Sequence, residues 1–104
     1  MRFGHEKLDC YRLAIEVARW IKASTFPRGD ADLKDQALRA CRSVALNIAE
    51  GNGLTGKRRI NHFNIAMGSA AEVAACLDFV DLAGADEQQS KLRRINSMLF
   101  NMTR

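Results

Sequence analysis

Three consecutive cations, Lys57-Arg58-Arg59, follow a glycine-rich turn and lead a long helical pattern. Positive side chains beside the free N–H groups of a helix start are chemistry for binding an anion, and a phosphate fits it. Arg93-Arg94, with Lys91 nearby, forms a smaller basic pair. Lys57, Arg58, Arg59, Arg93 and Arg94 are therefore the candidate contacts to a nucleic-acid backbone, RNA or DNA. The competing reading is a solvated charge run, or one that pairs with Glu50 or with a neighbouring subunit's acids. The net charge of +4 fits both readings.

Glu50 falls in the last turn of a helical pattern, where the helix dipole disfavours a negative charge, so something must compensate it. It either accepts hydrogen bonds from N–H groups at the start of the third helix or pairs with a base such as Lys57. A general acid or base is the alternative, but no nucleophile or metal motif accompanies it. Asn47, one turn earlier, can bond the same turn, and Ser43 can bond a carbonyl one turn back. Arg39 and Arg42 can reach phosphate or, more ordinarily, make salt bridges to adjacent helices or subunits. His5 and His62 lack a ligand partner at metal spacing. The glycines of Gly51–Gly56 follow a helix rather than a strand and lack the Lys-Ser/Thr ending of a phosphate loop. The expectation is a protein that is not an enzyme and needs no cofactor and no metal.

Four helical patterns must position these residues. The first covers 6–24, with Leu8, Tyr11, Ile15 and Ala18 on one arc and Cys10, Leu13, Val17, Trp20 and Ile21 on an adjoining one. Two apolar arcs exceed what one buried stripe needs, so a second partner is implied. Leu13, Val17 and Trp20 are the candidate intersubunit face. Pro27 ends this segment. Asp30 or Asp32 caps the second helix, whose stripe is Leu33, Ala37, Ala40, Val44 and Ile48, with Gly51 expected just past its end in a left-handed conformation. The third runs from a Thr55 cap to about Ala83, roughly 40 Å at the helical rise, with Gly84 as its stop. Gly68, Ser69, Ala70 and Ala71 make a narrow waist in it, where another helix is expected to cross closely. Asp86 starts the fourth helix, with Gln89 placed for a capping box and Leu92, Ile95, Leu99 and Met102 as its stripe.

At 104 residues the chain suits one domain, 1–104, and its 47% hydrophobic content excludes a disordered chain. Apolar residues are mostly Ala, Leu, Ile and Val in helical spacing, and no strand-like alternation competes. Three widely spaced cysteines, Cys10, Cys41 and Cys76, argue against a disulfide framework or zinc site and for buried small residues in a reducing cytosol. The start, MRFGHEKLD, lacks the apolar core of a signal peptide, and no run is long enough to span a membrane. A soluble cytoplasmic protein with an all-α, antiparallel up-down four-helix bundle is the expectation.

Arg39 through Gly51 reads RAxxSVxxNIAEG, and Ile65 through Glu72 reads IAMGSAAE. With Leu8–Ala18 and the Phe26-Pro27 pair, these residues resemble the four-helix-bundle family first noted as proteins encoded by intervening sequences in bacterial 23S ribosomal RNA genes. The resemblance covers most of residues 8–84 and is strongest in the second and third helices. It implies an up-down bundle that assembles into a ring, commonly a homopentamer. It marks Arg39, Ser43, Asn47, Glu50, Gly51, Gly68 and Ser69 as structural motif positions. Relatives include the accessory variability determinant proteins of diversity-generating retroelements, basic barrels that bind RNA and a partner reverse transcriptase. The chain departs from the family pattern at Asn52-Gly53-Leu54 and at Lys57-Arg58-Arg59. Two functional classes follow: an oligomeric scaffold or accessory factor that binds nucleic acid, and a protein-interaction ring with a protein partner and no nucleic-acid role.

Overall fold

The computed structural model describes residues 3–104; Met1 and Arg2, the start of the segment read for a leader, lie outside them. A short 3₁₀ turn, Gly4–Lys7, precedes four helices: α1 (Asp9–Ala23), α2 (Ala31–Asn52), α3 (Gly56–Asp78) and α4 (Ala85–Met102). Contacts descend along one helix as they ascend along the next, which is the antiparallel arrangement. Ser43 meets Ser69 and Asn47 meets His62 across α2 and α3. Gln89 meets Ala74 and Asn96 meets Met67 across α3 and α4. No described helix is long and apolar enough to cross a membrane.

The core forms where the four apolar stripes face one another. Val17, Ile21, Ala37, Ile48, Phe63, Ala66, Val73, Ile95 and Leu99 are fully enclosed. On α1 the buried arc is Cys10, Leu13, Ala14, Val17 and Ile21, so Leu13 and Val17 pack inside the protomer and are not free to form a subunit interface. Trp20, the third residue assigned to that interface, is half-buried with its indole against Gly84, where an added Cβ would stand 3.2 Å from Nε1. The α1 arc left half-open is the other one, Tyr11, Ile15 and Ala18. Periodicity shows two arcs on this helix but carries no signal for which one its own chain covers. All three cysteines are buried, and loss of water pushes the Cys41 thiol up to about 12.

Helix ends depart from their sequence signals in an instructive way. α1 stops where Ser24 Oγ donates to the Trp20 carbonyl at 2.7 Å. Lys34 of α2 then donates to the free carbonyls of Lys22 and Ser24, a cation placed at the negative end of a helix. Asp30 holds the cap position of α2 without a side-chain capping bond. Gly51 is inside α2 rather than beyond it, and the left-handed residue of the reversal is Gly56, at φ +63°. The absent side chain at Gly51 serves another purpose: a Cβ there would lie 2.7 Å from the Phe63 ring. α3 ends at Asp78, short of Ala83, because Val80 and Leu82 turn back onto the core. Gly84, at φ +90°, is the cap of α4, and Gln89 reaches α3 instead of closing a capping box. Gln88, which carried no sequence signal, takes the buried position one turn before Leu92.

Gly68 itself is exposed, and a Cβ there meets nothing within 4 Å; the close approach at the small-residue waist is made by its neighbours, Ser69 against Ser43 of α2 and the buried Ala70. The two glycines therefore separate cleanly. Gly51→Ala should lower unfolding free energy by about 1–3 kcal/mol, since the Phe63 ring cannot yield easily. Gly68→Ala should raise it by up to about 1 kcal/mol through helix propensity. Urea unfolding of both variants checks the pair; equal effects would contradict the close contact at Gly51.

Candidate nucleic-acid interface and the α2–α3 seam

The basic run sits on the first turn of α3, and its three members do different work. Lys57 and Arg58 are exposed, with no carboxylate within 4 Å among the described residues. Arg59 is half-buried over the Phe63 ring, 4.6 Å from its centroid. Its guanidinium donates to the Gly51 carbonyl at 3.3 Å and the Asn52 carbonyl at 3.5 Å. Those carbonyls end α2, so Arg59 caps that helix from across the turn and is committed there, not to phosphate. Thr55 caps α3 by position only, with no side-chain hydrogen bond, so the N–H groups of the α3 first turn stand beside Lys57 and Arg58.

The structure does not bring the second basic pair to this end. Gln89–Ala74 and Asn96–Met67 fix the α3–α4 register and place Arg93 level with Ala70. That is about 20 Å along α3 from Lys57 at the helical rise. Arg93 edges the groove floored by Ala70, Ala71, Ala74 and Ala75, whereas Arg94 lies beside Asp9 and Glu16. Lys91 bridges to Glu16 at 3.1 Å. Arg39 and Arg42 are exposed on α2 and make no salt bridge to an adjacent helix among the described residues.

The remaining motif residues form one polar seam between α2 and α3. Ser43 and Ser69 share a hydroxyl hydrogen bond of 2.7 Å, in place of the expected bond one turn back. Asn47 Nδ2 donates to the Ser43 carbonyl at 2.9 Å and to Ser43 Oγ at 3.3 Å. With its amide hydrogens committed, Asn47 presents Oδ1 to His62 Nδ1 at 2.9 Å, so that nitrogen carries the proton. Glu50 Oε2 lies 3.8 Å from the same nitrogen, so its neighbour is His62 rather than Lys57 or backbone N–H groups. His62 reaches Asn47 rather than either serine, so the seam holds no paired nucleophile and base. Its chemistry is to join two helices. His5 is elsewhere, stacked with Phe3 at 5.8 Å and edge-on to Tyr11. Sequence spacing showed Asn47, Ser43 and Glu50 on one helix but had no means of pairing them with His62 and Ser69.

Substitution separates the capping cation from the free ones. Arg59→Ala should cost about 1–2 kcal/mol in urea unfolding, because it removes the side-chain donor from the Asn52 carbonyl, the second donor from the Gly51 carbonyl, which keeps Leu54 N–H, and the cation over the Phe63 ring. Lys57→Ala and Arg58→Ala should stay within about 0.5 kcal/mol. A loss at Lys57 equal to that at Arg59 would contradict this division.

No curated protein matches the chain. The family described as 23S rRNA-intervening sequence protein matches residues 6–101, nearly the whole length. That span takes in α1, α2, α3 and all of α4 but its last residue, including the Ser43–Asn47–Glu50–Gly51 run of α2 and the Ser69 of α3 that bonds it. The chain belongs to the 23S rRNA-intervening sequence protein family.

Proposed function

We propose that the chain is a non-enzymatic, oligomeric helical scaffold that binds nucleic acid, RNA first, through Lys57 and Arg58. One observation carries this reading: two exposed cations, without acidic partners among the described residues, beside the N–H groups of a 23-residue helix whose cap residue makes no side-chain bond. Side-chain charge and helix dipole have the same sign there, so folding alone gains nothing from the arrangement and an incoming anion does. Phosphate contacts of this kind carry no base specificity. In an oligomer the pair would repeat, and modest affinity at each site would multiply. Arg93 and Arg94 stand apart on α4 as secondary contacts. The seam supports the non-enzymatic part, since its serines, asparagine and histidine satisfy one another.

A second reading, a ring whose partner is a protein such as a reverse transcriptase encoded nearby, draws on a different observation. Leu46 and Phe79 are 61% and 77% exposed, large apolar side chains that a protein partner could cover.

Anisotropy of labelled single-stranded RNA, titrated at several salt concentrations, tests the first reading. Wild type should bind, with affinity falling steeply as salt rises. Lys57→Glu with Arg58→Glu should weaken binding at least about tenfold and flatten the salt slope by about 0.7 for each phosphate the variant no longer neutralises. Unchanged affinity and slope would reject the phosphate site and favour the protein partner.

A further inference from the structure

The outer side of α1 and α2 carries an apolar groove that the chain leaves open. Tyr11, Ile15 and Ala18 of α1 and Leu38, Ala45 and Leu46 of α2 line it. Three cations, Arg19, Lys22 and Arg42, stand along it, all exposed and without salt bridges among the described residues; no carboxylate is among its lining residues. Glu6 and Glu16 lie on the far side of Tyr11 and Ile15, and Glu16 is paired with Lys91, so the groove itself offers an apolar floor and a cationic rim, which fit an apolar anchor flanked by acids.

The chain carries such an anchor at a different place. Phe79, in the connection from α3 to α4, is 77% exposed, more than any other large apolar side chain described. Asp78 and Asp81 flank it, both exposed, and Asp78, Asp81 and Asp86 line one hollow beside it. A large aromatic side chain in solvent can fill an apolar pocket on a partner, and the carboxylates beside it suit a cationic rim. Groove and anchor lie on different helix pairs, α1–α2 and the α3–α4 connection, so one chain cannot join them within itself.

We infer that Phe79 of one copy seats in the α1–α2 groove of the next, with Asp78 and Asp81 facing Arg19, Lys22 and Arg42. This rests on the assembly half of the proposed function and names its contact. The apolar floor favours an aromatic side chain over a phosphate chain, and the charges on the two sides are opposite in sign. Because the two patches differ, the contact is heterologous: each copy offers one groove and one anchor, and repetition closes a ring or extends a filament. It also relocates the subunit face on α1 from the buried arc of Leu13 and Val17 to the half-open arc of Tyr11, Ile15 and Ala18.

Native mass spectrometry of two variants, alone and mixed, tests it. Phe79→Ser removes the anchor, and Arg19→Glu with Arg42→Glu spoils the groove; all three positions are exposed, and circular dichroism confirms the fold. Each variant alone should lose every species above one chain. Their equimolar mixture should form a dimer and nothing larger, since it holds one intact groove and one intact anchor per pair. A variant that keeps the wild-type mass, or a mixture that stays at one chain, would overturn the inference while leaving assembly itself standing. A wild type that is itself a single chain would overturn both the inference and the assembly half of the proposed function, with nucleic-acid binding still read separately by anisotropy.

Discussion

The close approach of α2 and α3 at Gly51 is the constraint on which the rest of this molecule depends. Phe63 occupies the space where any side chain at position 51 would stand. With the ring there, the two helices lie close enough for Ser43 to reach Ser69 and for Asn47 to reach His62. The same ring forms the floor on which Arg59 lies, and from it the guanidinium reaches the last carbonyls of α2. One missing Cβ therefore permits an apolar contact, a polar seam and a helix cap within a few residues. Each is modest alone; together they set the angle at which α3 leaves the turn.

That angle decides which cations are left for other work. Arg59 is drawn inward to the end of α2, while its neighbours Lys57 and Arg58 are exposed and have no carboxylate within 4 Å among the described residues. The opposite end of the bundle bears the reverse sign, with Asp78, Asp81, Asp86 and Glu87 around the α3–α4 connection. α3 thus runs from a basic start to an acidic finish, against its own dipole throughout. A helix charged this way contributes less to its own stability than it could. The proposed contacts, an anion at one end and a cationic surface at the other, would offset that loss.

The sequence made the architecture legible because four long amphipathic patterns separated by short breaks admit few arrangements. The stripe Leu92, Ile95, Leu99 and Met102 lies in or against the core as its spacing requires. Ends were less legible, since capping preferences are weak beside tertiary demands. Gly51 resembles a helix terminator in sequence, yet its role is a contact with a residue twelve positions on, which local reasoning cannot see. The waist does meet another helix, through Ser69 at Ser43, but Gly68 within it faces open space. At the candidate site, the basic run was plain, but its division into one capping cation and two free ones depends on where α2 ends in space. His62 was the most hidden: alone in sequence, it acquires its role only when α3 lies beside Asn47 and Glu50.

Light scattering coupled to size-exclusion chromatography at low salt, with absorbance at 260 and 280 nm, tests the assembly and the phosphate-binding end most directly. An oligomeric particle that carries nucleic acid and sheds it at high salt is the predicted result. A single chain, free of nucleic acid under those conditions, would contradict both.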